Sequence, residues 1–284
     1  MKFLFVPAVL TAAVAAQTTT HSAVLVAGSS GYSNYRHQAD IAHAYQILIS
    51  NGVAPENIIT MMYDDVAWSR KNPYPGQLFN QPDGDDVYAG IQIDYKGKDV
   101  TPEKFMAIMT GDAITAGGKV LQTDKSTKLF VNFSDHGAPG LIAFPSDYLF
   151  ADDLQATINT MEEKGMFGEM VFYLEACESG SMFPSLTSDQ NVYAVTASNA
   201  TQSSYAAYCG RPYDVIDGVS IGSCLGDEFS VNWMEDSDAA NPFLETLDEQ
   251  FEIVKSKTIG SPIQKFGDFD FVNEPIGNFE GSNI

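Results

Sequence analysis

The sequence has 284 residues, of which 44% are hydrophobic and 18% are charged, and this composition is typical of a globular protein and excludes a disordered one. Its 15 basic and 37 acidic residues give a net charge of −22 at pH 7. Such an acidic surface repels phosphate backbones, which argues against nucleic acid as a partner. Its self-repulsion decreases as carboxylates take up protons, so an acidic compartment suits the chain.

The N-terminus has the features of a secretory signal peptide. Met1 and Lys2 precede a short apolar run that ends in small residues near Ala15 and Ala16. We therefore expect residues 1–16 to be a signal peptide and the protein to enter the secretory pathway. No later stretch reaches the roughly 20 apolar residues that a membrane span needs, so none is expected.

Apolar runs that predict buried strands alternate with helical patterns along the chain. The strands are predicted at Ala23–Gly28, Asn57–Asp65, Lys128–Gly137, Val171–Leu174 and Asn191–Ser198, and the helices over residues 36–52, from Thr101 onwards and over residues 151–165. This alternation implies an α/β fold with a parallel sheet covered on both faces. No repeat and no linker divides the chain into two domains.

Polar groups follow three of the predicted strands. The strand at Ala23–Gly28 leads into the letters SSGYSNYRH, the strand at Lys128–Gly137 ends in Asp-His-Gly, and the strand at Val171–Leu174 leads to Cys177. In open α/β sheets the active site lies beyond the carboxyl ends of the strands. We therefore expect an Asn/Arg/His cluster, a His-Gly pair and a cysteine to meet there.

The three cysteines divide into a pair and a single thiol. Cys209 and Cys224 lie in one loop rich in Gly, Pro and Tyr, and an oxidising compartment favours a disulfide between them. Closing a loop of that size stabilises a fold by about 3 kcal/mol in the chain-entropy model. Cys177 is then left as a free thiol.

Cys177 has two interpretations. Most free cysteines are inert, buried strand-end residues. Alternatively, a neighbouring histidine takes the thiol proton and later protonates the leaving amine, which makes the cysteine a nucleophile for amide carbonyls. His136 suits this role by type and location, although a strand-end histidine bonded to a carbonyl is the structural alternative. The N–H groups of Gly137 and Cys177 could form an oxyanion hole, in which one donor is worth ~3 kcal/mol.

Several segments of the sequence resemble the legumains, or asparaginyl endopeptidases, which are caspase-fold cysteine peptidases of lysosomes and plant vacuoles. These segments are GSSGYSNYRHQADIAHAYQIL, MMYDD, DHG, FYLEACESGSM, SSYAAYC and CLGDEFSVNWMEDSD. The resemblance covers roughly residues 23–257, and the loop from Cys209 to Cys224 looks most like that of the plant vacuolar processing branch. It implies a caspase-like three-layer α/β fold, in which helices flank a central, mostly parallel sheet, and a peptidase domain over residues 20–260.

The resemblance also implies the roles of individual residues in catalysis. By position, Cys177 is the nucleophile, His136 is the general base, the Gly137 amide belongs to the oxyanion hole and Asn34 orients the histidine. No metal and no cofactor is expected, because this mechanism needs neither.

The same resemblance implies a specificity pocket for asparagine. Its residues are Arg36, His37, Glu175, Ser204 and Asp227. A guanidinium can donate to a carboxamide oxygen while two carboxylates accept from its nitrogen, so the pocket suits Asn and admits Asp only when Asp is protonated. Ordinary surface ion pairing is the alternative for these charged residues.

The implied function is a cysteine endopeptidase that cleaves protein and peptide substrates after exposed Asn, and after Asp at low pH, through a thioester acyl-enzyme. Small residues at Ala138-Pro139 and Ala206-Ala207 resemble the pattern of family members that act as peptide ligases. A transamidase like those that attach GPI anchors and a non-catalytic secreted binding protein are the alternatives. The expected location is a lysosome, a vacuole or the exterior of the cell.

One part of the family pattern has no counterpart in this sequence. Legumain zymogens usually continue into a helical C-terminal prodomain that covers the active site, whereas this sequence ends at Ile284. We expect residues 261–284 to form a C-terminal tail that is a remnant of an activation peptide.

Overall fold

The computed structural model describes residues 20–282, so the predicted signal peptide lies outside the described residues. The strands are β1 (Thr20–Ala27), β2 (Ile58–Met62), β3 (Tyr95–Lys96), β4 (Thr127–Ser134), β5 (Gly137–Ala138), β6 (Leu141–Ala143), β7 (Tyr148–Phe150), β8 (Glu169–Glu175), β9 (Val192–Thr196), β10 (Ala206–Ala207), β11 (Val215–Ile216), β12 (Val219–Ser220), β13 (Gly226–Asp227) and β14 (Gln264–Gly267). The helices are α1 (Tyr35–Ser50), α2 (Pro102–Met109), α3 (Ala113–Ala116), α4 (Ala151–Glu163), α5 (Glu228–Ala239), α6 (Leu247–Lys257) and α7 (Gly277–Glu280).

Seven strands form the central sheet in the order β14-β9-β8-β4-β1-β2-β3. All neighbouring strands are parallel except β14, which pairs antiparallel with β9 at one edge. The five predicted strands correspond to β1, β2, β4, β8 and β9, each of which is an almost continuous run of buried residues. Such strands consist almost entirely of buried residues because helices cover both faces of a parallel sheet.

Helices pack on both faces of this sheet. On one face, α2, α3 and α4 bury apolar side chains against Val131, Phe133 and Phe172. On the other face, α1, α5, α6 and α7 pack against Leu25, Phe130 and Tyr173. The predicted three-layer α/β fold with a mostly parallel central sheet is therefore confirmed. The helix predicted from Thr101 onwards is α2, and it begins with a cap, since the Thr101 side chain accepts from the Lys104 N–H and proline occupies the first turn.

Two parts of the fold carry no pattern that predicts them. One is the small antiparallel sheet of β5, β6 and β7, which follows His136 directly. The other is β14, whose residues pair with β9 from Gln264 to Gly267 within the segment predicted as a tail. In the same segment α7 buries Phe279 and Glu280. These strands have only two to four residues, which is too short for a recognisable alternation. The boundary at residue 260 stays a prediction.

No helix between residues 20 and 282 is long and apolar enough to cross a membrane.

Candidate active site

The predicted site residues meet because three neighbouring strands end at the same level. In the register of the sheet, Ala27 of β1 lies beside Ser134 of β4, which lies beside Glu175 of β8. The residues that follow these strands therefore emerge side by side at one edge of the sheet, as parallel strands require. The polar loop before α1, the His136 segment and the Cys177 segment are brought together in this way.

His136 is oriented by Asn34, which ends a short 3-10 turn just before α1. The Asn34 Nδ2 group donates to the Ser30 carbonyl at 3.0 Å, so its Oδ1 atom is the acceptor that faces His136 Nε2 at 3.0 Å. His136 Nε2 must then carry the ring proton, which leaves the lone pair on Nδ1. The exposed ring of His136 thus has one nitrogen available to accept a proton.

Cys177 is a free, half-buried thiol on the loop that follows β8. Its Sγ lies 3.7 Å from the Ser204 carbonyl oxygen, to which it donates, and 4.0 Å from Ser204 Oγ. The loop is held by Ser198, whose buried Oγ accepts from the Ser179 N–H at 3.1 Å and donates to the Ala176 carbonyl at 3.0 Å. Sequence reasoning did not identify Ser198, which carries no local signal for this role.

The backbone of Gly137 approaches the Cys177 loop very closely. A β-carbon at this position would lie 2.3 Å from the Cys177 carbonyl oxygen and 3.0 Å from the Ala176 β-carbon. Only glycine permits such an approach. This contact brings the main chain of Gly137 beside the thiol, where an oxyanion hole would have to form.

Arg36, Glu175 and Asp227 form a buried charged cluster next to this thiol. Arg36 Nε donates to Asp227 Oδ1 at 2.8 Å, and Glu175 Oε2 accepts from the N–H and Oγ of Ser230 at 3.0 and 3.1 Å. Glu175 Oε1 and Asp227 Oδ2 accept no hydrogen bond of normal geometry from the residues that the structure describes, although Ser204 lies beside Glu175 and His37 Nε2 is 3.5 Å from Asp227 Oδ2. Buried acceptors of this kind indicate a ligand that donates hydrogen bonds.

The proximity of the two carboxyl groups changes their protonation. Burial, and next the Asp227 carboxylate, raise the pKa of Glu175 to about 8. The pair therefore carries less than two full negative charges at acid pH, which lowers the cost of holding both groups in a buried site.

His37 lies behind the pocket and is only 1% exposed. Its Nδ1 is 2.7 Å from Ser29 Oγ and 3.2 Å from Asp135 Oδ1, and its Nε2 is 3.5 Å from Asp227 Oδ2. Burial is the main cause that lowers the pKa of His37 to about 3, so its ring is neutral. The ring packs edge-on against His136, with centroids 4.9 Å apart. His37 thus supports both the base and the pocket from behind.

Asp135 is buried beside these two histidines, and burial is the main cause that raises its pKa to about 7. His37, Asp135 and His136 each offer a ligand atom within 4.8 Å of the other two, so this group could hold a metal ion. No metal is expected from the sequence, and the proposed mechanism uses His136 without one.

A disulfide-closed loop brings Ser204 and Asp227 together. Strands β10 and β13 pair antiparallel, with Ala206 opposite Asp227. The predicted Cys209–Cys224 disulfide is present just beyond this pair and joins residues 15 positions apart. Because it closes the loop between β10 and β13, it restrains β13, which carries Asp227, and β10, which begins two residues after Ser204.

Two further buried residues of the site, Ser230 and Asp40, were missed by sequence reasoning. Asp40 lies four residues after Arg36 on α1, and this spacing puts the two side chains on one face of the helix. The spacing was therefore a usable signal for Asp40. Ser230 reaches Glu175 across 55 positions of sequence and has no comparable signal.

Known proteins are similar to this chain over most of its length. The Peptidase C13 family model matches residues 21–282. Legumain from Mus musculus is 49% identical over 92% of this chain and 59% of its own length. The hemoglobinase of Schistosoma mansoni is 47% identical over 92% of this chain and 59% of its own length. A vacuolar-processing enzyme from Citrus sinensis is 46% identical over 93% of this chain and 55% of its own length. The chain thus spans less than two thirds of the length of these relatives.

A solved structure gives the same fold at low sequence identity. Caspase-1 from Spodoptera frugiperda superimposes with a TM-score of 0.52 and 9% identity over 97% of this chain and 98% of that one. At this identity the likeness concerns the fold alone. A thiol, a histidine and a charged cluster lie at the strand ends of this caspase-like sheet. Because the family model also matches almost all of the described residues, the chain belongs to the peptidase C13 family.

Proposed function

We propose that this protein is a cysteine endopeptidase that cleaves peptide bonds after asparagine. The observation that carries the proposal concerns two buried carboxyl oxygens, Glu175 Oε1 and Asp227 Oδ2, near the guanidinium of Arg36. Neither accepts a hydrogen bond of normal geometry from residues 20–282. The N–H groups of an asparagine carboxamide donate to these two oxygens, and its carbonyl oxygen accepts from Arg36. The names of the relatives, legumain and vacuolar-processing enzyme, support the same activity class.

Catalysis then follows from the residues beside the pocket. His136 Nδ1 takes the proton of the Cys177 thiol, and the sulfur attacks the carbonyl carbon of the scissile bond. The negative charge that develops on the carbonyl oxygen is stabilised by the N–H groups of Gly137 and Cys177. The C–N bond breaks, the leaving amine receives the proton from His136, and a thioester remains.

Water completes the reaction. His136 deprotonates a water molecule, which attacks the thioester carbonyl and breaks the C–S bond, so that the thiol and a carboxylic acid are released. Asn34 holds the imidazole in the tautomer that this exchange requires, because its Oδ1 accepts from Nε2.

The pocket also sets the response to aspartate. An ionised aspartate side chain offers no donor to Glu175 and Asp227 and adds a like charge to theirs, whereas a protonated one can donate. Cleavage after Asp is therefore a low-pH activity. We infer an acidic compartment of the secretory pathway, such as a lysosome or a vacuole, as the place of action. The net charge of −22 and the names of the relatives support this location.

An amine can replace water in the last step, which would make the protein a peptide ligase. The small, half-buried residues Ala138, next to Gly137, and Ala206, two positions after Ser204, favour this variant reaction. A peptide amine would then attack the thioester and form a new peptide bond.

The deciding experiment uses a peptide with one Asn, one Asp and one Lys site and an amine-donor peptide. Mass spectrometry follows its products at about pH 5 and about pH 7, with the protein and with Cys177→Ser. Cleavage or joining after Asn that is lost in the variant supports the proposal, and the product ratio separates hydrolysis from ligation. Unchanged peptide with folded, reduced protein would contradict the peptidase and favour a non-catalytic role. Transfer to amines without any hydrolysis would favour a transamidase.

A further inference from the structure

A chain of hydrogen-bonded side chains connects the protein surface to the back of the specificity pocket. Asp238 Oδ2 lies 2.9 Å from His43 Nε2, and His43 Nδ1 lies 2.9 Å from Asn80 Oδ1. Asn80 Nδ2 then donates to Asp40 Oδ1 at 2.8 Å. Asn80 and Asp40 are buried, and the mechanism proposed above uses none of these four residues.

The direction of each hydrogen bond in this chain follows from its neighbours. Asn80 Nδ2 donates a second time, to the Leu225 carbonyl at 3.0 Å, so Asn80 Oδ1 must be the acceptor toward His43. His43 therefore donates from Nδ1, and it also donates from Nε2 because a carboxylate faces that nitrogen. In this arrangement both ring nitrogens of His43 act as donors.

Acidic side chains lie beside His43 at the outer end of this series of hydrogen bonds. The side chain of Asp238 is 48% exposed, whereas that of His43 is 8% exposed. Both border a surface cavity of about 300 Å³, which Asp85 and Asp86 also line. The ionisable side chains that line this cavity beside His43 are therefore all acidic.

Asp40, at the inner end of this series of hydrogen bonds, contacts β13, the strand that carries Asp227. Asp40 is fully buried and accepts from Asn80 Nδ2, from Ser134 Oγ at 2.9 Å and from the Asp227 N–H at 3.3 Å. A β-carbon on Gly226 would lie 2.9 Å from Asn80 Nδ2 and 3.0 Å from Asp40 Oδ1. The backbone of β13 therefore approaches both side chains as closely as a glycine allows.

We propose that His43 and Asn80 are positioning residues of the asparagine pocket. His43, anchored by Asp238, fixes the amide of Asn80. Asn80 in turn holds Asp40 and the Leu225 carbonyl, and through them the position of Asp227. The inference rests on the proposed function, because it assigns these residues to the site that recognises a substrate carboxamide.

The test compares two reactions of the same thiol. An electrophile that bears an asparagine side chain needs the pocket, whereas iodoacetamide needs only Cys177. In Asn80→Ala we expect the rate of the first reaction to fall roughly ten- to a hundredfold, because a buried acceptor loses its donor, while the rate with iodoacetamide stays unchanged. With a peptide substrate, the same variant should raise KM more than it lowers kcat.

Asn72 provides a matched control. It is a buried asparagine that also donates to two carbonyls, those of Ala67 and Gln77, at 2.9 Å each, but it does not contact Asp40. Asn72→Ala should lower the thermal stability and leave the ratio of the two rates at the wild-type value. Asp238→Asn removes the charge partner at the half-exposed end and should fold even if Asn80→Ala does not. Its ratio should fall by several-fold.

A ratio that stays at the wild-type value in both Asn80→Ala and Asp238→Asn would overturn the positioning role alone. A wild-type protein that prefers the asparagine electrophile no more than a lysine analogue would instead contradict the proposed pocket. A fall in the ratio in Asn72→Ala equal to that in Asn80→Ala would show a general loss of structure and would also overturn the inference.

Discussion

The backbone of Gly137 and the carbonyl group of Cys177 are so close that a single added carbon would overlap them, since a β-carbon at residue 137 would lie 2.3 Å from that oxygen. Both groups are main-chain atoms, which cannot rotate away. The proposed oxyanion hole depends on this contact, because it holds the main chain of Gly137 against that of Cys177.

Gly137→Ala should therefore abolish most of the activity. The substituted chain must move either the loop of Cys177 or the start of β5, and we expect kcat to fall at least about a hundredfold, with a stability loss of about 1–3 kcal/mol. Steady-state kinetics and thermal unfolding measure the two effects. Gly140→Asn is the control, because a β-carbon there meets open space and Asn tolerates its positive φ of 76°. Wild-type kcat in Gly137→Ala would contradict the prediction.

Asn34→Ala should lower kcat about 10- to 100-fold and leave KM nearly unchanged. The variant loses the acceptor that keeps the proton on His136 Nε2, so the wrong tautomer becomes populated. Asn34→Asp replaces that acceptor with a carboxylate, which favours the charged ring and should move the acidic limb of kcat/KM to higher pH. The pH dependence of kcat/KM for all three proteins tests this. Identical profiles would rule out an orienting role for Asn34.

Glu175→Gln should reduce the preference for asparagine. The glutamine NH₂ group would face the NH₂ group of the substrate, so kcat/KM for Asn peptides should fall roughly 10- to 100-fold. Glu178→Gln is the matched control, since Glu178 flanks Cys177 on the other side and lies outside the charged cluster. The kcat/KM of Glu178→Gln for Asn peptides should stay within about twofold of the wild-type value. Equal losses in both variants would count against the assignment of Glu175 to the pocket.

The fold should be most stable at acid pH, with Glu280 as one cause. Glu280 is 2% exposed, and the side chains of Ser237 and Gln250 lie beside its carboxyl group. Burial is the largest cause that raises its pKa from 4.5 to about 8, although the nearby side chains of Ser237 and Gln250 lower it in part. Below pH 4.5 both the folded and the unfolded chain hold this proton. As the pH rises toward 8, only the unfolded chain ionises, so the free energy of unfolding falls.

Glu280→Gln should remove much of this dependence. We expect the variant to be more stable than the wild type near neutral pH by roughly 2–5 kcal/mol and similar to it at acid pH. Urea unfolding at a series of pH values measures the difference. Glu56 is exposed, so Glu56→Gln serves as the control, and its free energy of unfolding should depend on pH as that of the wild type does. A Glu280→Gln protein with an unchanged pH profile would show that another group is responsible.

Removal of the Cys209–Cys224 disulfide should affect both stability and substrate binding. Replacing both cysteines by serine should lower the free energy of unfolding by about 3 kcal/mol. Because the bond closes the loop between β10 and β13, KM for Asn peptides should also rise, while alkylation of Cys177 by iodoacetamide proceeds as before. A double variant that loses stability but keeps the wild-type KM would show that the bond does not restrain the pocket.

The sequence by itself determined the central layer of the fold and the identity of the reacting groups. The strands β1, β4 and β8 are long apolar runs, and the period of α1 is visible in its residues, because burial on both faces of a sheet or on one face of a helix leaves a local pattern. The thiol of Cys177 and the ring of His136 follow directly after two such strands, so their meeting could be predicted from the rule for parallel sheets.

Only the tertiary structure decided which polar groups pair with one another and which stay unpaired. Arg36 meets Asp227 across 191 positions of sequence, and Asp238 meets His43 across 195. The same holds for the free oxygens of Glu175 and Asp227, for the close approach of Gly137 to Cys177, and for the place of β14 at the sheet edge. Hydrogen bonds of this kind leave no periodic trace in the sequence, because each depends on the positions of two distant segments that only the folded sheet brings together.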